Sequence, residues 1–331
     1  MKRREFFAVM GGATIVGRGV GFAQQPRNVR RIGVFIPFVQ TDKVEVEHFA
    51  AFKNRLRGLG WTEGRDIEII ERWRPREGNA AFQDVAADLV RQSPDLIFLV
   101  STPVLKAVAA ATKTIPIVFV GVSDPVGQGF VSNLANPGKN ITGFTFFEPE
   151  MGGKWLNLLK EIAPDVKRVT ILFNPDTSPQ TRLFLRSIDA AAQSFAVTAT
   201  AAAVQEESQI ENIIKSIANE ADGGLFLPSD TFTINHRGLI IELAARYRVP
   251  ALYAHDFFPR AGGLASYSVA VGEQFAQAAD YTHRILNGVR PGDLPVQQPT
   301  KFDLTINLTV AKALGLTVPT TLLARANEVI E

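Results

Sequence analysis

One pattern is written twice in this chain, and it limits the possible folds more than any other feature. In the first copy an apolar run from Asp95 to Val100 stops at Ser101 and Thr102. A helical stretch follows, and Ile115-Pro116 then opens a second apolar run that stops at Ser123 and Asp124. The second copy runs from Asp222 through Leu227 to Ser229, Asp230 and Thr231. After its helical stretch, Val249-Pro250 opens a run that passes Tyr253 and stops at His255 and Asp256. Each copy reads as strand, helix, strand. Parallel strands need such a crossover, and they are apolar throughout because helices cover both faces. In open α/β sheets ligands sit beyond the carboxyl ends of the strands, where the hydroxyl and acidic residues of both copies fall. Two such units predict two lobes with a ligand cleft between them.

The flanking sequence extends both units. Apolar runs predict strands over 31–37, 67–72, 96–100 and 117–120, with helices over 44–59, 79–92 and 103–112. A second series predicts helices over 148–162, 181–195, 208–219 and 237–247, with strands over 169–173, 198–204, 224–227 and 251–253. A strand over 262–268 is expected to cross back, a long helix to occupy 272–287, and an extended segment over 292–300 to cross again. The expected class is α/β, with two doubly wound parallel-sheet lobes joined by a three-stranded hinge. The first lobe is assigned 29–145 plus 266–299, and the second 146–265 plus 300–331. A chain of 331 residues has room for two such cores.

The net charge of +2 comes from the N-terminus. Residues 1–23 hold Lys2, Arg3, Arg4 and Arg18 against Glu5, and the rest of the chain carries 31 basic and 32 acidic residues. Such a balance does not suggest nucleic acid, whose binding proteins present a basic face. Lys2-Arg3-Arg4-Glu5-Phe6-Phe7 is a twin-arginine pattern, followed by a weakly apolar run and the small-x-small site Gly21-Phe22-Ala23. In that order these are the parts of an export signal over 1–23. The chain has no cysteine, which rules out thiolate metal sites, disulfides and attachment of lipid to an N-terminal cysteine. An exported protein without a lipid anchor is expected.

Nucleotide chemistry has little support, since the turn after the first strand lacks glycines and Gly127-Gln128-Gly129 follows the wrong strand. The four histidines, His48, His236, His255 and His283, lie far apart without ligand spacing, so no metal or cofactor is expected. No Gly-x-Ser-x-Gly elbow is present. Hydroxyls at strand ends either cap helices or donate to a ligand carboxylate, and Ser101, Thr102, Ser123, Ser229 and Thr231 recur at equivalent places in the two copies. Asp124, Asp230 and Asp256 could hold a ligand ammonium or brace turns, and Asp230 is the freest of them. Phe38, Tyr253, Phe257 and Tyr267 fall at or just past strand ends, where apolar walls of small-molecule pockets form.

Several stretches resemble the bacterial ABC-transporter substrate-binding family that includes tryptophan and tyrosine binding proteins. They are Ile115-Pro116-Ile117-Val118-Phe119, Ser123-Asp124-Pro125-Val126, Asn136-Pro137-Gly138-Lys139-Asn140-Ile141-Thr142-Gly143, Ala261-Gly262-Gly263-Leu264, and the tail that contains Gln298-Pro299-Thr300-Lys301-Phe302 and Ala311-Lys312-Ala313-Leu314-Gly315-Leu316. The resemblance covers nearly the whole chain after the export-like segment. It implies a type I periplasmic binding protein that closes around a solute. It also implies a ligand shell in the loops after the strands, which here includes Gln40, Ser101, Thr102, Ser123, Asp124, Asn174, Ser229, Asp230, Thr231 and Tyr253.

The expectation is a monomeric periplasmic protein, with no enzymatic activity, that delivers an amino acid or aromatic carboxylate to the permease and ATPase of an ABC importer. Ser101, Thr102 and Ser123 would hold the carboxylate, Asp230 the ammonium, and Tyr253 and Phe257 the side chain. Two alternatives stay open: a ligand sensor that feeds a signalling partner, and a two-lobed enzyme using Asp124 with His255. A repressor's effector domain shares this architecture, but residues 1–28 are too short for a helix-turn-helix.

Overall fold

The computed structural model describes residues 29–73, 79–146 and 151–331; the export-like segment 1–23 lies outside the described residues. The first lobe contains β1 (Arg30–Ile36), α1 (Lys43–Gly58), β2 (Ile67–Trp73), α2 (Asn79–Arg91), β3 (Leu96–Val100), α3 (Thr102–Ala111), β4 (Ile117–Val122) and β5 (Ile141–Thr145). Its five strands are all parallel and ordered β2-β1-β3-β4-β5. β3 is Leu-Ile-Phe-Leu-Val with every residue buried, as a strand covered on both faces must be. Asp42 starts α1, its carboxylate accepting from the Val44 N–H at 3.1 Å. Gly60 ends that helix at φ +93°, a conformation only glycine adopts freely. β5 leads into the first of the three lobe crossings and adds a fifth strand to the four that the apolar runs predict, pairing in parallel with β4.

The second lobe runs through α4 (Met151–Ile162), β6 (Arg168–Phe173), α5 (Thr181–Ala192), β7 (Thr198–Ala203), α6 (Glu207–Ala218), β8 (Gly223–Leu227), α7 (Thr231–Asn235), α8 (Arg237–Arg246), β9 (Ala251–Tyr253), α9 (Phe257–Arg260) and β10 (Ala265–Val269). After α10 (Val271–Leu286) the chain closes with β11 (Phe302–Asn307), α11 (Leu308–Ala313), α12 (Thr320–Leu323) and β12 (Glu328–Ile330). The second sheet is ordered β12-β11-β10-β9-β8-β6-β7, with β10 and β11 antiparallel.

The first sheet therefore ends before 150, and the place where the chain returns differs from the expected 266. β10 pairs with β9 and β11 in the second sheet, so the crossing falls at Ala270. α10 then packs on α1 and on the first sheet, with Phe275 edge-on to Phe98 at 5.4 Å. The reason is register: Tyr267 faces Leu304 of β11, and that pairing holds the whole of β10 on the second lobe.

Three passes of chain link the lobes, and hydrogen bonds tie them together. The Gln297 N–H donates to the Gly143 carbonyl at 2.9 Å, and the Thr145 N–H donates to the Gln297 carbonyl at 2.9 Å. Gln274 of α10 donates from Nε2 to the Thr145 carbonyl at 2.8 Å. Gly143 lies where β5 presses on β4: a Cβ there would sit 2.1 Å from the Phe119 carbonyl oxygen. Gly143→Ala should therefore destabilise the protein by roughly 1–3 kcal/mol or more through forced displacement of β5. A urea midpoint equal to wild type would show that β4 and β5 can part without cost.

Candidate ligand-binding cleft

A cavity with about 480 Å³ of empty volume, counting its mouth, lies between the lobes at the carboxyl ends of the strands. From the first lobe it is walled by Phe38 after β1, by Ser101 and Thr102 after β3, and by Glu45 and His48 on α1. From the second lobe it takes Ser229 and Thr231 after β8, Ile234 of α7, His255 and Phe257 after β9, and Thr177 and Gln180 after β6. Phe146, Val271 and Phe275 close it at the hinge end.

Ser101 is the most unusual residue of this wall. Its backbone has φ +81° and ψ 155°, a region used almost only by glycine. It precedes the first residue of α3, yet its hydroxyl makes no cap bond. The Oγ is shut off from solvent and has no hydrogen-bond partner among the described residues. A Ser at a helix N-terminus normally caps; here the hydroxyl is left for the cavity. Gln180 is similar: its Nε2 donates to Ser178 Oγ at 3.0 Å, while its buried Oε1 has no hydrogen-bond partner among the described residues.

The second lobe supplies an aromatic stack. Tyr253 lies on Phe258 at 4.4 Å, Phe258 on Phe257 at 5.2 Å, and Phe257 on the His255 ring at 5.0 Å. Phe257 and His255 form its cavity end. His255 Nε2 is 2.9 Å from Ser229 Oγ, so the imidazole and the hydroxyl orient each other.

The lobes are latched shut beside this site. Arg237 Nη1 of α8 is 2.7 Å from Asp42 Oδ2 at the start of α1, and the Asp42 side chain is 4% exposed. The Arg237 guanidinium also lies 5.4 Å from the centre of the Phe257 ring. Asn235 Nδ2 reaches toward the Pro37 carbonyl at 3.5 Å.

Phe38, Ser101, Thr102, Ser229, Thr231, His255 and Phe257 line the cavity as the sequence suggested. The other expected residues do not. Asp230 is buried and occupied: its carboxylate accepts from the Asn174 N–H at 2.8 Å, the Phe232 N–H at 3.0 Å and the Thr177 hydroxyl. It caps α7 and ties down the loop after β6. Asn174 shapes that same loop, its Oδ1 accepting from the Asp176 N–H at 2.8 Å. Tyr253 is fully buried behind Phe258. Ser123 is buried, its N–H directed to Thr102 Oγ1 at 3.4 Å and its carbonyl accepting from Gln128. Asp124 braces a turn through the Gly127 N–H at 2.9 Å, so no Asp124–His255 pair forms across the cavity. Gln40 is exposed at the surface. Tyr267 packs on Phe302 at 5.5 Å in a separate surface depression with Lys154 and Arg325. Glu45, His48, Thr177 and Gln180 were missed, because none of them follows a strand of the duplicated pattern directly.

This architecture, two doubly wound lobes with a hinge of crossing segments and a cavity at the facing strand ends, defines a type I periplasmic binding protein. The family model for ABC transporter substrate binding protein matches residues 38–330, and the chain belongs to that family. The tyrosine-binding protein of Clostridioides difficile (strain R20291) is 25% identical over 265 residues, which cover 80% of this chain and 75% of that protein. An ABC domain from Streptococcus pneumonia in complex with L-Trp superposes with a TM-score of 0.83 at 22% identity, covering 91% of this chain and 100% of that one. The ligand-free, open structure of a substrate-binding protein with adhesive properties from Clostridium difficile gives 0.66 at 25% identity, covering 91% and 99%. Among the described residues no helix is long and apolar enough to cross a membrane.

Two buried groups oppose each other in the pH dependence of stability. Burial, with a smaller push from His48, lowers the His255 imidazole to about 3. Burial raises the Asp230 carboxyl to about 6, against the pull of the Thr177 hydroxyl and the N–H groups of Asn174, Phe232 and Thr233. Between 3 and 6.5 the unfolded chain binds the extra proton at His255, so stability is lost as pH falls through that window. Between 3.8 and 6 the folded chain keeps the proton at Asp230, so stability is lost as pH rises through that one. Each slope is about 1.4 kcal/mol per pH unit, and where the windows overlap they cancel. His255→Gln should expose a fall in urea midpoint as pH rises from 3.8 to 6. Asp230→Asn should expose a fall as pH drops from 6.5. Variant profiles parallel to wild type would refute both burial effects.

The latch makes a separate prediction. Arg237→Ala leaves Asp42 without its partner only while the lobes are shut. Affinity for any ligand that requires closure should fall by about 2 kcal/mol, or about thirtyfold. X-ray solution scattering should then show a larger ligand-free radius of gyration. An unchanged radius and affinity would show that the pair does not bias closure.

Proposed function

We propose that the protein is the exported solute receptor of an ABC importer, and that its solute is an amino acid or small aromatic carboxylate. Its N-terminal twin-arginine pattern directs it across the inner membrane, and it works as a free monomer in the periplasm. Solute enters the open cleft, contacts both lobes and favours the closed form, which the permease recognises. Closure driven this way needs only a difference in affinity between the two forms.

The observation that carries this reading is the pairing of Ser101 with Phe257 on opposite walls of one cavity. Ser101 offers a hydroxyl without a hydrogen-bond partner among the described residues, held at a strained backbone. Phe257 puts an aromatic ring in the wall, stacked with His255 and Phe258. Hydroxyls of Ser101 and Thr102 suit a carboxylate, and Phe257 with Phe38 suits an apolar or aromatic side chain. The relatives that bind tyrosine and L-Trp support the same solute class.

Thermal shift of the purified protein against amino acids, aromatic acids, sugars and purines tests the class. A ligand present at about 100 times its dissociation constant should add roughly 2.7 kcal/mol of stability. Stabilisation only by sugars or purines would reject the solute class. Ser101→Gly should raise the ligand-free melting temperature, since glycine relieves a strain of about 1–3 kcal/mol. The same change should weaken carboxylate binding by about 1.5–3 kcal/mol, roughly tenfold to a hundredfold. Unchanged affinity would remove Ser101 from the ligand shell.

A further inference from the structure

We propose that Glu45 is the receptor for a ligand ammonium group, and that the cleft thereby selects solutes carrying an amine. The inference rests on the reading of this cavity as a solute site.

Glu45 is 5% exposed, and it lines the cavity. Among the described residues its polar contact is with His48 Nδ1 at 3.5 Å, one turn along α1, longer than a charged hydrogen bond. A carboxylate in a largely buried wall, with no donor within hydrogen-bond distance among the described residues, has its oxygens open to what the cavity holds.

The ordinary structural explanation fails here. Asp42-Lys43-Val44-Glu45 has the spacing of a capping box, in which Glu45 would reach back to the Asp42 N–H. That N–H donates instead to the Val39 carbonyl at 2.9 Å. Glu45 is therefore not needed to cap α1, and the Asp42 carboxylate already does so. Among the described residues no Lys or Arg lines the cavity, Arg237 is bound to Asp42, and His48 stands 3.5 Å from Glu45, beyond charged hydrogen-bond distance. Asp230, the other acid near the site, is filled by its own loop. The cavity thus holds one open carboxylate, facing hydroxyls and an aromatic wall. An ammonium on the solute supplies the missing charge.

Position adds a mechanical consequence. Glu45 and Asp42 lie on the same end of α1. A solute ammonium at Glu45, with its side chain on Phe257, draws that end toward the second lobe. There Asp42 meets Arg237, and Arg237 lies over the same Phe257 ring.

Calorimetry on wild type and Glu45→Gln with matched pairs tests this: L-tyrosine with 3-(4-hydroxyphenyl)propionate, L-tryptophan with indole-3-propionate, and L-leucine with 4-methylpentanoate. Wild type should favour the amine-bearing member by roughly tenfold to a hundredfold. Glu45→Gln should bring the two members within about threefold, mostly by weakening the amine-bearing one. The ligand-free melting temperature should not fall. Wild-type discrimination needs no variant to fold, and equal binding of both members would overturn the proposal while leaving the solute-receptor reading intact. A preference that persists unchanged in Glu45→Gln would overturn it too, and would assign Glu45 to His48. Wild type silent toward both members of every pair would overturn the solute class, and the proposal with it.

Discussion

Burial of parallel strands on both faces is the constraint from which the site follows. β3 and β8 are apolar from end to end with every residue buried. A polar side chain along such a strand needs a hydrogen-bond partner of its own, as Thr142 of β5 has in the Leu294 carbonyl, so most polar chemistry is displaced to the turn after it. Ser101 follows β3, Ser229 follows β8 and His255 follows β9 because those are the first places where a polar group is tolerated. The two sheets aim these ends at each other, and the hinge hydrogen bonds through Gln297 and Thr145 keep them aimed.

This is why the fold was readable and the site only partly so. A strand that is apolar throughout and stops abruptly announces both itself and its end, and the duplicated pattern located β3, β4, β8 and β9. The return crossing was misplaced because β10 looks the same in sequence whichever sheet it joins; only its pairing with β11 decides. The site residues divide on a similar physical line. Ser101, Ser229 and His255 follow strands, and the pattern found them. Glu45 and His48 sit at i and i+3 on a helix, where an acid and a histidine look like ordinary first-turn and surface residues. Asp230 misled because sequence shows that an acid follows a strand but not that two donors from the loop after β6 and one from α7 consume it. Tyr253 misled because it ends β9 and still points into the core, behind Phe258.

Strain and burial are concentrated where the lobes face each other. Ser101 is held at a glycine-like backbone angle, and β3, α3 and β4 hold it there through the Val120 and Leu105 backbone bonds. His255 is buried as a neutral ring and Asp230 is pushed toward its neutral form. Burial keeps the His255 ring uncharged, and Asp230 spends its carboxylate on its own loop and helix rather than on the cavity.

Two other acids lie three residues apart on α1, and they are used differently. Asp42 is satisfied from within the protein, by Arg237 of the opposite lobe and by the Val44 N–H. Among the described residues Glu45 has His48 at 3.5 Å and no donor within hydrogen-bond distance. If both acids were satisfied internally, neither would make closure depend on the solute. If neither were, the shut form would bury two open carboxylates. With one internal partner and one open position, the pair at Asp42 defines the closed geometry while the cavity's content decides how stable that geometry is. A ligand can shift the equilibrium only by its difference in affinity for the two forms. A solute ammonium at Glu45 would provide that difference at the end of α1 where Asp42 meets Arg237.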